Sequence, residues 1–494
     1  MFVFSSANLD RTVAERTLRD HGVTFERGER IQRTWLDTFD LRLHRAGMRL
    51  ESTVGRATTT ALYEADNSPS YLDRVPPTFA SDLDPGPFRD RLARTISVRA
   101  LLPVGSVRCV ATAGTGRNSS DKAVVRATVL DAITLGDAST TALGWAIEID
   151  DLIGYEAATV KLADALERLG MRRVEGDVFD LALSENLIKL HGYDARAGVR
   201  FGKDERALPG YRRVFSRLFE TIETNWAGAA NDVDAEFLHD LRVALRRTRS
   251  VLANAKGVMH ETDRGHFQDE FHRLASATSV PRDLDVMALG WDASVRAVDG
   301  LDPADLQPVY DALARQRVKS HAQLTKALAS TRTAKLLVEW ERWLNSDRGN
   351  DLVRAGVPLR SVVGRRLERL RTRLREDERD LTQEGRHTAR KDAKQLRYMV
   401  ECFGGVYADS ARKAFVKDLA SFQDRLGKAQ DAHVQAVLLD DLVRTNGYSA
   451  ETLVAVGRLR EAIEGRARVV HATDLRLFHK AVDRKFHALI ESRR

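Results

Sequence analysis

A chain of 494 residues is long enough for two to four domains, and 43% apolar with 30% charged content describes a folded globular protein, not a disordered or collagenous one. Its two cysteines, Cys109 and Cys402, stand far apart, which excludes a disulfide framework and a cysteine-based metal spacing and suits a reducing, cytoplasmic setting. The net charge of +7 is unevenly placed: residues 1–200 carry 26 Lys and Arg against 28 Asp and Glu, and residues 201–494 carry 52 against 43. The basic excess therefore belongs to the C-terminal part, where clustering would favour a polyanionic partner.

The opening stretch, MFVFSSANLDRTVAERTLRDHG, has charges at Asp10, Arg11, Glu15 and Arg16 and lacks a basic region followed by an apolar core, so no signal peptide is expected. No run approaches eighteen apolar residues, and no membrane span or membrane partner is expected. Six of the eleven prolines fall between Pro69 and Pro103, among alternating runs such as SVRALLPV, VVRATVL and WAIEID that predict β-strands joined by turns. AATVKLADALERLGMRR follows as an amphipathic helix with Gly170 as its stop. The first part, residues 1–195, thus reads as α+β, and HGYDARAGVRFGKDERALPG as the linker out of it. Beyond Pro209 the periodicity is helical, with Pro281, Pro303, Pro308 and Pro358 expected near helix ends, so residues 205–494 read as all-α.

The second part repeats itself. At an offset of 148 residues, EFLHDLRVALRRTRS meets GRHTARKDAKQLRYM without a gap. His239 falls on His387, Arg242 on Arg390, Arg246 on Lys394 and Arg249 on Arg397; upstream, Arg212 meets Arg360 and Arg217 meets Arg365. A merely solvated face has no reason to keep such residues twice. Two copies imply two similar helical subdomains of about four helices each, related by a pseudo-twofold axis.

At about 100° per residue, His239, Arg242, Arg246 and Arg249 share an arc of about 80° that borders an apolar stripe of Leu241, Leu245 and Leu252. Ala389, Ala393 and Val400 repeat the stripe beside His387, Arg390, Lys394 and Arg397. Guanidinium forks and ammonium groups suit phosphate oxygens, and two rows of cations about 15 Å long fit a linear phosphate polymer better than a small metabolite. Arg247 falls on Gln395, outside the stripe, and reads as a solvated or secondary contact. Asp283 and Asp285, just after Pro281, read as N-capping residues that orient the basic groups. The mixed-sign run RLERLRTRLREDERD is explained by i,i+4 pairing, with Arg360 and Arg365 kept as candidates because the repeat returns them.

At these residues the sequence resembles the CHAD family, the conserved histidine α-helical domain, through HDLRVALRRTRS, RDLDV, HTARKDAKQLRY and FQDRLGKAQDAHV. The resemblance covers residues 205–494. It implies two four-helix bundles facing across a basic channel that binds inorganic polyphosphate, and association with polyphosphate granules. Carried over, the binding positions are His239, Arg242, Arg246, Arg249, His387, Arg390, Lys394 and Arg397. The first part resembles the CYTH family of triphosphate tunnel enzymes, through TWLDTFDLRLHRAGMRLE and WAIEIDDLIGYEAATVKLADALERLG, which implies an antiparallel tunnel-like barrel. That family's first strand carries Glu-x-Glu-x-Lys for metal and phosphate, whereas this chain has FVFSS, leaving Glu148 and Asp150 as remnants. The expectation is a degenerate tunnel with no catalytic residue, metal site or cofactor, attached to a polyphosphate-binding helical domain. The alternatives are an active triphosphate or polyphosphate hydrolase, and nucleic-acid binding, the latter disfavoured because few aromatics punctuate the basic stripes.

Overall fold

The computed structural model describes residues 1–494 apart from 7, 65–68, 137–140, 189, 191–192, 196–197, 378–382, 466–482 and 493–494, and apart from the side chains of 141, 376–377, 383–387, 422 and 424–430. The chain forms two compact units, Met1–Asp194 and Ala195–Arg494.

The first unit is an open antiparallel sheet, a half-barrel. Its strands are β1 (Phe2–Ser5), β2 (Val23–Phe25), β3 (Glu29–Asp37), β4 (Arg49–Val54), β5 (Thr58–Tyr63), β6 (Pro69–Leu72), β7 (Leu102–Arg117), β8 (Ala123–Leu135), β9 (Thr141–Asp150) and β10 (Arg172–Glu175). The order is β10-β1-β9-β8-β7-β3-β4-β5-β6, with β2 pairing β7. Helices α1 (Arg11–Asp20), α2 (Arg42–Arg45), α3 (Pro87–Ile96), α4 (Glu156–Arg168) and α5 (Val178–Ser184) lie between strands. VVRATVL and WAIEID lie in β8 and β9, and Gly170, at φ +84°, follows α4 as its stop. SVRALLPV is strand only from Leu102, because α3 runs on to Ile96 and Ser97 turns the chain at φ +56°.

Alternation along the strands sends successive side chains to opposite faces. Phe4, Val125, Ala127, Val129, Ile147 and Ile149 pack with Leu18 of α1 and Leu162 and Leu166 of α4. Val3, Trp35, Val107, Cys109, Leu130 and Ala146 belong to a separate core built with Val178, Phe179, Leu181 and Ala182 of α5. Phe179 stacks on Trp35 at 4.7 Å between ring centroids. The second face of the sheet is thus covered by a short apolar helix.

The second unit contains α6 (Ala207–Ala230), α7 (Ala235–Ala253), α8 (Glu261–Ala277), α9 (Ser279–Arg296), α10 (Pro303–Leu328), α11 (Thr331–Leu344), α12 (Leu359–Asp377), α13 (Gln383–Phe403), α14 (Asp409–Thr445) and α15 (Ala450–Gly465), with a further helical segment at 483–491. Among the described residues no helix is long and apolar enough to cross a membrane. Asp234 starts α7 by accepting the amides of Glu236 and Phe237 at 2.9 and 3.2 Å, which supplies partners to otherwise orphaned donors. Gly228 of α6 lets α7 close in: a Cβ there would meet the Phe237 ring at 2.3 Å. Trp340 anchors an aromatic core, with Phe215, Phe267 and Phe271 at 4.9, 4.7 and 5.1 Å.

Two helix-start expectations are corrected. Asp283 and Asp285 do not cap α9, which begins at Ser279 and holds Pro281 in its first turn, where a missing N–H costs no helical bond. Pro308 is six residues into α10, because Asp302 caps that helix and Pro303 opens it; the ring forfeits only one interior bond.

Candidate functional site: a basic groove between three helices

The apolar stripes do what their periodicity requires. Leu241, Leu245 and Leu252 on α7, and Ala389, Ala393 and Val400 on α13, are all buried. Burying them fixes the rotation of both helices and leaves their basic arcs beside the packed face. Phe267 and Phe271 do the same for α8, turning Gln268, Asp269 and His272 toward the same space. The result is a groove of about 540 Å³ whose charged walls are Arg246 and Arg249 of α7, Lys391 and Lys394 of α13, and Asp269 and His272 of α8. Tyr398, only 5% exposed, forms part of its floor, with the Arg246 and Arg397 guanidinium groups 6.0 and 5.6 Å from its ring centroid.

What distinguishes this groove is unneutralised charge. Arg246, Arg249, Lys391 and Lys394 have no ion-pair or hydrogen-bond partner among the described residues. Burial, followed by repulsion from Arg246, pulls Arg242 and Arg249 below the usual guanidinium range. Arg390 is lowered by burial as well, against a partial offset from Asp431. The Lys394 ammonium is pushed down to about 7, by burial first and then by Arg246 and Arg390. A set of cations that outnumbers the anions near it among the described residues is poised for an anionic ligand.

The candidate residues separate into three groups. Arg246, Arg249 and Lys394 line the groove. Arg242, Arg390 and Arg397 stand close by but are engaged: Arg242 donates to Ser279 Oγ at 2.6 Å, Arg390 lies 3.6 Å from Asp431, and Arg397 lies 3.3 Å from Glu401. Arg212, Arg217, Arg360 and Arg365 do not line it. Arg212 donates to the Arg348 carbonyl at 2.8 Å and lies over Trp343. Arg360 donates to the carbonyls of Ile490 and Ser492 at 2.8 and 2.7 Å and lies over Tyr407, so this repeated pair ties helix ends down. Arg217 pairs with Glu220 at 2.7 Å, and Arg365 is exposed on α12. His239 is half-buried on α7 outside the groove lining. His387 lies on α13, and its side chain is outside the described residues.

Arg247 is not solvated. Its guanidinium donates to Glu401 at 2.7 Å and to the Ala195 carbonyl at 2.9 Å, and Glu401 raises its pKa against the pull of burial. It bolts α7 to α13. Lys391 and His272 escaped the repeat because their counterparts at the 148-residue offset, Val243 and Ala420, are uncharged. The helical wheel offered the missing signal for Lys391: it lies only about 40° from His387.

Elsewhere, arginines occupy several of the described carboxylate clusters. Asp232, Asp285 and His321 bring possible ligand atoms within 4.8 Å of one another. Arg317 already sits among them, donating to Asp285 at 2.6 Å and to Asp232 at 2.9 and 2.7 Å. Asp285 is therefore a buried structural anchor. In the first unit, Glu148 accepts from Arg33 at 2.7 Å and from the Val178 amide at 2.9 Å. Glu51 lies 3.2 Å from Arg33 and accepts from the Trp35 indole at 3.1 Å, while Arg49 lies 3.2 Å from both Asp177 and Asp180. On β1 the residue opposite Glu148 is the fully buried Val3.

The second unit is thus an all-helical domain organised around an unneutralised basic groove. A family model for the CHAD domain matches residues 213–440, and this unit contains a CHAD domain. Among solved structures, the chain is similar to the CHAD domain from the plant Ricinus communis, at 23% identity over 61% of this chain and 98% of that one, with a TM-score of 0.50. It is also similar to PptA from Streptomyces chartreusis, at 16% identity over 57% and 98% of the two chains and a TM-score of 0.43. The PH1819 protein from Pyrococcus horikoshii OT3 matches at 15% identity over 38% and 98%, with a TM-score of 0.25. No curated protein matches the chain.

Proposed function

We propose that the helical unit binds inorganic polyphosphate, laid along the groove between α7, α8 and α13, and that the protein thereby associates with polyphosphate granules. The observation that carries this reading is the set of four cations around one groove, Arg246, Arg249, Lys391 and Lys394, without an ion-pair or hydrogen-bond partner among the described residues. A phosphate chain supplies one negative charge per unit and acceptor oxygens for guanidinium and ammonium groups alike. Bases have little to stack on, because Tyr398, the one Phe, Tyr or Trp among the described lining residues, is buried. The first unit contributes no hydrolysis in this reading, since Arg33 and Arg49 hold carboxylates that a metal site would need.

Retention of the full chain on immobilised long-chain polyphosphate tests the proposal. Arg246→Ala, Arg249→Ala, Lys391→Ala and Lys394→Ala, combined, should abolish retention at a salt concentration that keeps the wild type bound, and excess duplex DNA should not displace the wild type. The combined variant should melt close to wild type, because the like-charge repulsion it relieves offsets the lost contact of Arg246 with Tyr398. Equal retention of the two proteins would refute the assignment. Phosphate release from polyphosphate with magnesium or manganese would favour the hydrolase alternative.

A further inference from the structure

The groove crowds cations of two chemical kinds. A guanidinium cannot shed its proton in a protein, whereas an ammonium can. Lys394 is the half-buried ammonium of the set, since Lys391 is exposed. Every packed element brings charge toward it. Its own helix supplies Arg390, Lys391 and Arg397; α7 supplies Arg246 and Arg249; α8 supplies His272 and the exposed Asp269. Among the described residues the opposing acids besides Asp269 are two: Asp431 of α14 is 64% exposed and shared with Arg390, and Asp283 of α9 faces Arg242 and Arg246. Lys394 itself makes no ion pair or hydrogen bond among the described residues.

We propose that Lys394 is the proton-coupled ligand of this groove: the empty site leaves it partly neutral, and an arriving phosphate chain draws a proton onto it, so capture is tight at and below neutral pH and slackens as pH rises. This rests on the polyphosphate reading and adds a regulatory property to it. In the empty groove, burial and the surrounding cations bring Lys394 down to about 7. Phosphate oxygens replace lost solvation and offset the repulsion, returning it toward the ordinary lysine range near 10.4. Because the bound state holds the proton more tightly, the linked affinity is fully present below about pH 7 and is lost above it.

The test is calorimetric titration of the full chain with long-chain polyphosphate, whose terminal groups are few, in buffers of different ionisation enthalpy. Wild type should take up about one proton per site at pH 8, and its affinity should fall about tenfold between pH 7.5 and 8.5. Lys394→Arg, which stays charged, should take up none from this position and show a flatter profile. Lys394→Gln should bind more weakly than wild type at pH 6.5, and the gap should shrink by more than tenfold by pH 9 as the linked affinity of wild type is lost. Binding with the same proton uptake and pH slope in all three proteins would overturn this proposal alone. Absence of polyphosphate binding at every pH would overturn the groove reading, and this proposal with it.

Discussion

Two adjacent arginines on α7 have opposite roles. Arg246 projects into the groove without a partner, whereas Arg247, 100° further round the helix, is locked to Glu401 and the Ala195 carbonyl. Truncating Arg247 leaves Glu401 with Arg397 alone and removes the donor of the Ala195 carbonyl, so Arg247→Ala should destabilise the protein by roughly 1.5–3 kcal/mol. It should leave the salt dependence of polyphosphate binding unchanged; a normal melting temperature would contradict the assignment. Arg212 and Arg360 make the same point, since both donate to backbone carbonyls and lie over an aromatic ring. Arg212→Ala and Arg360→Ala should each lower the melting temperature and spare retention on polyphosphate. The repeat marked these positions as important in both copies, but identity in two copies does not separate a ligand from a strut.

At the scale of elements, the periodicity of α7 and α13 was legible because burying Leu241, Leu245, Ala389 and Ala393 leaves each helix one orientation. The groove-facing arc of α13 was less so. Of the lining residues of α13, only Lys394 belongs to the repeated stripe; Lys391, Gln395 and Tyr398 lie on the adjoining arc, and Arg390 and Arg397 pair with Asp431 and Glu401. The Arg397–Glu401 pair is an i,i+4 contact readable within α13, whereas the approach of Arg390 to Asp431 of α14 is one that no pattern within α13 could reveal. The first unit offers a parallel case. The missing acids of β1 and the remnant Glu148 were visible, but Arg33, Arg49 and the covering helix α5 were not, because their meeting depends on strand order. Phe179→Ala, by removing the ring stacked on Trp35, should cost roughly 3–4 kcal/mol, read by denaturant unfolding of the first unit. Glu51 is pushed up to about 7, by burial first, against the pull of Arg33. A carboxyl raised in the folded state contributes stability below its unfolded value that is lost as pH rises toward 7. Glu51→Gln should therefore flatten the decline in melting temperature between about pH 4.5 and 7, and an unchanged profile would contradict the charge assignment.

Across the whole molecule, the charge asymmetry between the two parts of the sequence pointed to the unit that holds the basic groove. It did not say how many of the 52 basic residues beyond position 200 were available. Many are engaged by carboxylates or carbonyls, and it is lack of a partner among the described residues together with placement around one groove that singles out four. Each phosphate contact releases counterions, so the slope of log affinity against log salt counts the contacts made. The most direct measurement is that slope for the full chain with long-chain polyphosphate, in wild type and in the variant with Arg246, Arg249, Lys391 and Lys394 replaced by Ala. The account predicts a slope shallower by about three in the variant, at roughly 0.7 per lost contact. Equal slopes and equal affinities for the two proteins would contradict it.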